Sequence, residues 1–346
     1  MLKWILILLV CVIAPPQLAW AHHSSSPHYD ANKPVSIVGE VVEFKFVNPH
    51  AFLYLNVANE DGSVSLWNCE FQAASKHRRD GWTKDIFEPG STVRIQGMSA
   101  RRDPNGCSFQ SGVLEDGTRL TRNSVIESRA TTQVSAIPGD SIAGNWQSIP
   151  RQRRPGQDRG NQGRGRAATL LTEEHKAALE NYDQRFDDPA LQCSPSSIIR
   201  VWGEPNAVNA IEVGEETVVI RHEFMDTMRT VRLGTSKPPD GYEPGLTGYS
   251  IGYFEGDDLI IETTGFKAGV LMPHPGMLHS DEMKITERLS MNDDGSELVR
   301  EYTVTDPHYL KEPYTGRSGW RRTDLSLSSY DCVELGGVSN DRSAGD

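Results

Sequence analysis

Val35-Ser36-Ile37-Val38-Gly39-Glu40-Val41-Val42-Glu43-Phe44-Lys45-Phe46-Val47 decides how the first half of the chain is read. It is a long β-rich run interrupted by Gly39, where a bulge or sharp coil is expected. Beyond Asn48-Pro49-His50, Leu53, Leu55 and Val57 alternate in a strand over 52–57. Glu60-Asp61-Gly62 turns the chain into a strand over 64–71, where Trp67, Cys69 and Phe71 share a face. Residues 73–81 read as a short helix, and Pro89-Gly90 leads into a strand over 92–98. Asp103-Pro104-Asn105-Gly106 is a turn, after which a strand over 107–114 closes the set. Three strands, a helix and two strands, led by a glycine-broken first strand, match a five-stranded OB-like barrel. Such barrels often bind oligonucleotides, which requires a basic groove with spaced aromatics. Arg78-Arg79 and Arg101-Arg102 are only two isolated pairs among many acids.

Upstream of this module, residues 1–21 have the three parts of a secretory signal. Lys3 is the positive start, an apolar run follows over 4–14, and Ala19-Trp20-Ala21 fits a small-x-small cleavage site. The run is shorter than the about 20 residues that span a bilayer, so no membrane span is expected. An exported protein, periplasmic or secreted, is the expectation. The 346-residue chain carries a formal net charge of −12. Losing the signal removes one positive charge, Lys3, and makes it −13. That balance argues against nucleic acid or an anionic membrane as the main partner. Cleavage also leaves Cys69, Cys107, Cys193 and Cys332, an even set that suggests disulfides in an oxidising compartment. Pairs within each domain, Cys69–Cys107 and Cys193–Cys332, are expected. No CxxC is present to suggest a redox motif or a cysteine zinc site.

His22-His23-Ser24, a first strand ending in Val47-Asn48-Pro49-His50-Ala51, and Gly81-Trp82-Thr83 before Pro89-Gly90 carry a resemblance. The region resembles a family of exported bacterial domains of unknown function, over about the first hundred residues after the signal. The resemblance implies an exported OB-like module and assigns no chemistry. A chain beginning at His22 would offer its α-amine and imidazole together, as in copper sites built on an N-terminal histidine. Such donors suit Cu(II), which heads the affinity order for divalent metals. His23, His28 and His50 complete the expected metal set, with copper as the expected cofactor. The plain alternative is a free tail, with His50 bonding a turn carbonyl beside Pro49.

Residues 127–170 read as a linker. Residues 150–166 are rich in Arg, Gly and Gln with no large apolar residue. Gly144-Asn145-Trp146 just before resembles the Gly-x-Trp opening of lipocalin-like barrels. In the second domain, 171–346, Thr172 is expected to cap a helix reaching Tyr182, with Glu173 and Glu174 in its first turn. Strands are expected over 198–203, 210–213, 217–224, 229–233, 249–254, 259–264, 283–289 and 298–305, with 319–325 closing. Tight turns such as Asn292-Asp293-Asp294-Gly295 imply an antiparallel meander curled into a barrel. The fold class is therefore all-β: an OB-like barrel, then an antiparallel barrel-like sheet, with one or two short helices.

Strand parity brings four unusual residues onto the apolar faces. His222 falls with Val218 and Ile220, Glu287 with Ile285 and Leu289, and Arg300 and Tyr302 with Leu298 and Val304. These four are expected to line a ligand pocket in the barrel mouth. Glu287 would serve as an acid or base if its pKa were raised. The competing reading is a structural Glu287–Arg300 ion pair, with His222 and Tyr302 as ordinary core residues. A one-residue register error would reverse these faces. Met272, His274, Met277 and His279 in 267–281 suit either soft copper ligation or a proline-rich lid. Gly248-Tyr249-Ser250-Ile251-Gly252 matches the G-x-S-x-G string, but within a meander and not at a strand–turn–helix elbow. With the stretch after it, through Thr263-Thr264-Gly265-Phe266, it resembles a pattern recurrent in uncharacterised exported bacterial proteins.

The expected function is that of an exported binding protein. It would hold copper or another transition metal at its mature N-terminus and a small-molecule ligand in its second domain. A periplasmic enzyme using Glu287, His222 or Tyr302 is the first alternative. A scaffolding module with an envelope protein partner is the second.

Overall fold

The computed structural model of the chain describes residues 28–126, 137–148, 170–195, 197–204, 207–273 and 276–334. Its first module is built around β1 (Tyr29–Lys45), a 17-residue strand. Strands of about five or six residues are usual, and this one is long because it serves two neighbours. Its first part pairs with β4 (Thr92–Ala100) and its second part with β2 (Phe52–Ala58), both antiparallel. The changeover falls at Glu40, which is opposite both Asn56 and Thr92. Gly39 stands there because a Cβ would lie 2.8 Å from the Asn56 carbonyl oxygen. The register slips between Val41 and Glu43, just beyond the glycine.

The remaining strands are β3 (Val64–Glu70), β5 (Gly106–Val113) and the short edge strand β6 (Arg119–Thr121). Their order is β3-β2-β1-β4-β5-β6, and a parallel pairing of β3 with β5 closes the five long strands into a barrel. Helix α1 (Ala74–Arg79) joins β3 to β4. This is the expected OB-like order. The Cys69–Cys107 disulfide bridges the two closing strands, where these residues lie opposite each other. Leu53, Leu55 and Ile95 in the core are fully buried, each stabilising by about 2–3 kcal/mol.

The second module is a closed barrel of nine strands. These are β7 (Gly144–Ser148), β8 (Val208–Val213), β9 (Thr217–His222), β10 (Thr227–Leu233), β11 (Tyr249–Glu255), β12 (Asp258–Thr264), β15 (Lys284–Met291), β16 (Glu297–Thr305) and β17 (Tyr314–Thr323). A separate ribbon of β13 (Gly269–Met272) and β14 (Met277–His279) accounts for part of 267–281. Helix α2 (Glu173–Leu179) is capped as expected, the His175 amide donating to Thr172 Oγ1 at 3.1 Å. Cys193 and Cys332 are joined, as expected.

Three details differ from the sequence reading. The barrel is not a pure antiparallel meander, because β10 and β11 pair in parallel through Val231–Ser250 and Leu233–Gly252. The connection over 234–248 is long enough to carry the chain back to the start of its neighbour. The segment 127–170 is not linker throughout, because β7 pairs with both β17 and β8 and closes the barrel. Trp146, fully buried, anchors that strand, which is too short to show a period. The Arg/Gly-rich stretch 150–166 lies outside the described residues. Finally, the stretch expected as a strand over 198–203 is a turn followed by a 3-10 helix at Val201–Gly203.

The modules meet at the Asn48-Pro49-His50 corner, whose Asn48–Pro49 bond is cis. Asn48 donates from Nδ2 to the Tyr330 carbonyl and accepts from the Ser75 amide at 2.9 Å. Its own carbonyl takes the Val333 amide at 2.8 Å, and Arg79 pairs with Glu223 across the same seam. Inside the nine-stranded barrel two apolar clusters occupy opposite ends. Leu289, Leu298, Val218 and Trp320 belong to one, and Ile285, Val304, Met283 and Phe266 to the other. Between Ile285 and Leu289 on β15 lies Glu287, and between Leu298 and Val304 on β16 lie Arg300 and Tyr302. A polar layer thus crosses an otherwise apolar barrel.

Candidate ligand-binding site

Each member of the polar layer is placed by strand alternation. His222 ends β9 one inward position beyond Ile220, and its partner Asn209 lies opposite on β8. Arg229 enters from β10 between the inward Thr227 and Val231. Glu287 and Arg300 come from adjacent strands, with Glu287 opposite Tyr302 and Arg300 opposite Leu289. His222, Arg229, Glu287 and Arg300 are all between 1% and 3% exposed, so every charge here is out of water. Charges so buried persist only when paired.

Glu287 is the hub. Arg229 donates from Nη1 to its Oε2 at 2.5 Å, and Arg300 from Nε to its Oε1 at 2.6 Å. Burial alone pushes the carboxyl up, but the two guanidiniums outweigh it and hold Glu287 at about 2. The raised value that acid–base work would need is therefore contradicted. Arg300 also donates from Nη2 to the Ile198 carbonyl at 3.2 Å, and its guanidinium lies 4.7 Å from the Tyr302 ring centroid and 5.6 Å from that of Trp202. Trp202 comes from the 3-10 turn inserted at the barrel's interior. It packs edge-on to His222 at 4.9 Å and against Trp320 at 4.8 Å.

His222 is held neutral, its pKa well below the usual range through burial and the charges of Arg229 and Arg300. Its Nδ1 lies 2.6 Å from Asn209 Oδ1, an acceptor, so Nδ1 carries the proton and Nε2 a lone pair. The layer therefore holds two positive charges and one negative. Four buried positions in it have no hydrogen-bond partner among the described residues: Arg229 Nε and Nη2, Trp202 Nε1 and His222 Nε2. Buried polar groups are normally satisfied, because leaving one unpaired costs roughly 1–3 kcal/mol.

Of the four expected pocket residues, His222, Glu287 and Arg300 are buried in this interior layer, and Tyr302 stands half-buried on the same face of β16. The Glu287–Arg300 ion pair of the competing reading is also present, extended by Arg229. Three contributors escaped the sequence reading. Arg229 alternates with Val231 and was open to the same parity argument. Asn209 lies just before the strand expected over 210–213, whereas β8 begins at Val208. Trp202 lies in a segment whose composition reads as a strand.

The expected metal residues divide differently. His22 and His23 lie outside the described residues. His50 pairs with Glu70, which sequence reading missed, and the charge of His28 also acts on that carboxylate. His50 Nδ1 lies 2.8 Å from Glu70 Oε1, and Tyr29 donates its hydroxyl to Oε2 at 2.7 Å. Burial raises the Glu70 carboxyl, but the charges of His50 and His28 and the bonds from His50 and Tyr29 bring it to about 2. Burial lowers the His50 imidazole, and Glu70 more than reverses this, so its pKa is raised. Among the described residues, no group of three or more His, Cys, Asp or Glu is arranged to hold a metal ion.

Ser250 bonds Thr263 Oγ1 at 2.9 Å inside the barrel and stands on a strand, not on an elbow. In the ribbon, His279 Nδ1 lies 2.9 Å from the Ser280 carbonyl, and Met277 is buried in the apolar end cluster. His274 lies outside the described residues. No helix among the described residues is long and apolar enough to cross a membrane.

Residues 9–108 match a family described as a family of unknown function (DUF6152). This agrees with the resemblance of the N-terminal module to a domain family without assigned activity. No curated protein matches the chain. Among solved structures, a mutant of the fluorescent protein UnaG aligns at 13% identity over 53% of this chain and 97% of that one. The TM-score of that alignment is 0.24, too low to bear on fold or ligand.

Proposed function

We propose that this chain is a binding protein whose nine-stranded barrel holds a small ligand within its polar layer. The observation that carries this reading is the set of buried, unpartnered positions on Arg229, Trp202 and His222. A purely structural ion cluster would gain nothing by leaving a guanidinium edge unbonded in an apolar interior. Binding is favoured over catalysis, since Glu287 is locked between two guanidiniums and His222 is neutral and tied to Asn209. Two disulfides support a place outside the reducing cytoplasm, in keeping with export after cleavage at Ala21. Native mass spectrometry of the full chain, purified from cells that export it, tests the reading. The intact mass should exceed that of the chain by a small molecule that unfolding releases. A bare chain, with no compound of a metabolite panel raising its melting temperature, would contradict it.

A second reading concerns the OB-like module. Copper or another transition metal at His22 and His23, completed by His28 and His50, is supported by the fixed place of His50, which pairs with Glu70 beside the Pro49 corner. It requires a chain that begins at His22.

A further inference from the structure

Resting on the barrel reading, we propose that the ligand of the polar layer is a small monocarboxylate seated on the free edge of Arg229. Arg229 gives Nη1 to Glu287, whereas Nε and Nη2 are the two without partners. Those two nitrogens form one edge of the guanidinium, and their N–H bonds run parallel. That edge accepts a carboxylate through two hydrogen bonds, the geometry in which arginine is most selective. Trp202 Nε1–H is a further buried donor in the same layer, and the Nε2 lone pair of His222 suits a hydroxyl on the ligand.

The charge count points the same way. Arg229 and Arg300 against Glu287 leave one uncompensated positive charge in a barrel interior with apolar clusters on either side of the layer. A single carboxylate neutralises it. A cation would add to the buried excess, and a neutral amide would leave it standing. A phosphate dianion would reverse its sign among apolar side chains. The clusters on either side of the layer favour an apolar remainder on the acid over a highly charged one.

Isothermal titration of the full chain with matched pairs tests the assignment. Acetate is compared with acetamide and benzoate with benzamide, and inorganic phosphate is titrated alongside. At least one acid should bind ten times or more tightly than its amide, and phosphate more weakly than that acid. Arg229→Gln should abolish the difference. Should that variant not fold, Arg229→Lys keeps a positive charge opposite Glu287 but lacks the two-pronged edge, and should lose at least tenfold. Amides that match their acids, phosphate that outcompetes both carboxylates, or an Arg229→Lys protein that binds as before would each overturn the assignment. The barrel reading would survive any of these. Binding by none of the five probes overturns the assignment too, while the barrel reading falls only if the native mass experiment also finds a bare chain.

Discussion

Replacing Glu287 by Gln keeps the shape of the hub and removes its charge, leaving Arg229 and Arg300 facing each other in the barrel interior without a counter-ion. Breaking a buried pair from one side typically costs 3–5 kcal/mol, because the surviving charge stays desolvated. Linkage gives a similar figure. The carboxyl is displaced from its ordinary 4.5 to about 2, which corresponds to about 3 kcal/mol of stability at neutral pH. Because the folded pKa is the lower one, this contribution is complete above the unfolded value. It is lost as pH falls from about 4.5 towards about 2. Thermal unfolding followed by tryptophan fluorescence reads it out, since Trp202 and Trp320 pack together beside the cluster. At roughly 2–4 °C per kcal/mol for a barrel of this size, Glu287→Gln should lower the neutral-pH midpoint by about 6–20 °C. The gap from the unsubstituted protein should narrow steadily in acid. A neutral-pH gap below about 3 °C, or one that persists undiminished at about pH 2, would refute the hub as drawn.

Removing the Cys193–Cys332 bridge, whose residues are 139 apart in sequence, should destabilise the barrel by up to about 5 kcal/mol on loop entropy; urea unfolding of a Cys193→Ser/Cys332→Ser protein measures this, and an unchanged midpoint contradicts it. Asn48→Ala deletes the side-chain bond that crosses the module seam to the Tyr330 carbonyl, and with it the bond from the Ser75 amide within the first module, at about 1–3 kcal/mol for the buried groups left behind. Its effect should appear as faster limited proteolysis between the modules, with the barrel's own melting little changed, whereas equal cleavage rates would show that the seam does not depend on Asn48. N-terminal sequencing of exported protein should begin at His22, and Cu(II) titration should give a d–d band that His22→Ala abolishes. A different start, or a band indifferent to that change, removes the copper reading.

The sequence made some of this legible and hid the rest for identifiable reasons. The order of strands and the break at Gly39 were enough for the OB-like module, since a strand shared by two neighbours must coil where its side chain would strike β2. Alternation over 217–224, 283–289 and 298–305 correctly turned His222, Glu287, Arg300 and Tyr302 inward, because long strands with one apolar face leave little freedom of register. Alternation also misled. Ile198-Ile199-Arg200-Val201-Trp202 has the composition of a strand, yet Ser197 bonds the Leu271 carbonyl at 2.6 Å and Arg200 pairs with Asp188 at 2.5 Å, which hold it as a turn. Those partners are distant in sequence and leave no local trace. The same holds for Glu70, whose pairing with His50 and Tyr29 exists only because β3 ends beside the Pro49 corner. The parallel pairing of β10 with β11 was invisible because a long connection returns the chain without announcing which edge it joins. Arg229, the residue on which the ligand assignment depends, shares the parity of Val231 and is open to the same alternation.

A carboxylate held in the barrel's interior polar layer is read out by NMR of the full chain as the ligand is added. The Trp202 Nε1–H and Arg229 Nε–H resonances should shift and gain protection from exchange when benzoate is added, together with the His222 ring signals. Saturating benzoate that moves other resonances and leaves these three groups unchanged would place the acid elsewhere and contradict a carboxylate seated in the polar layer.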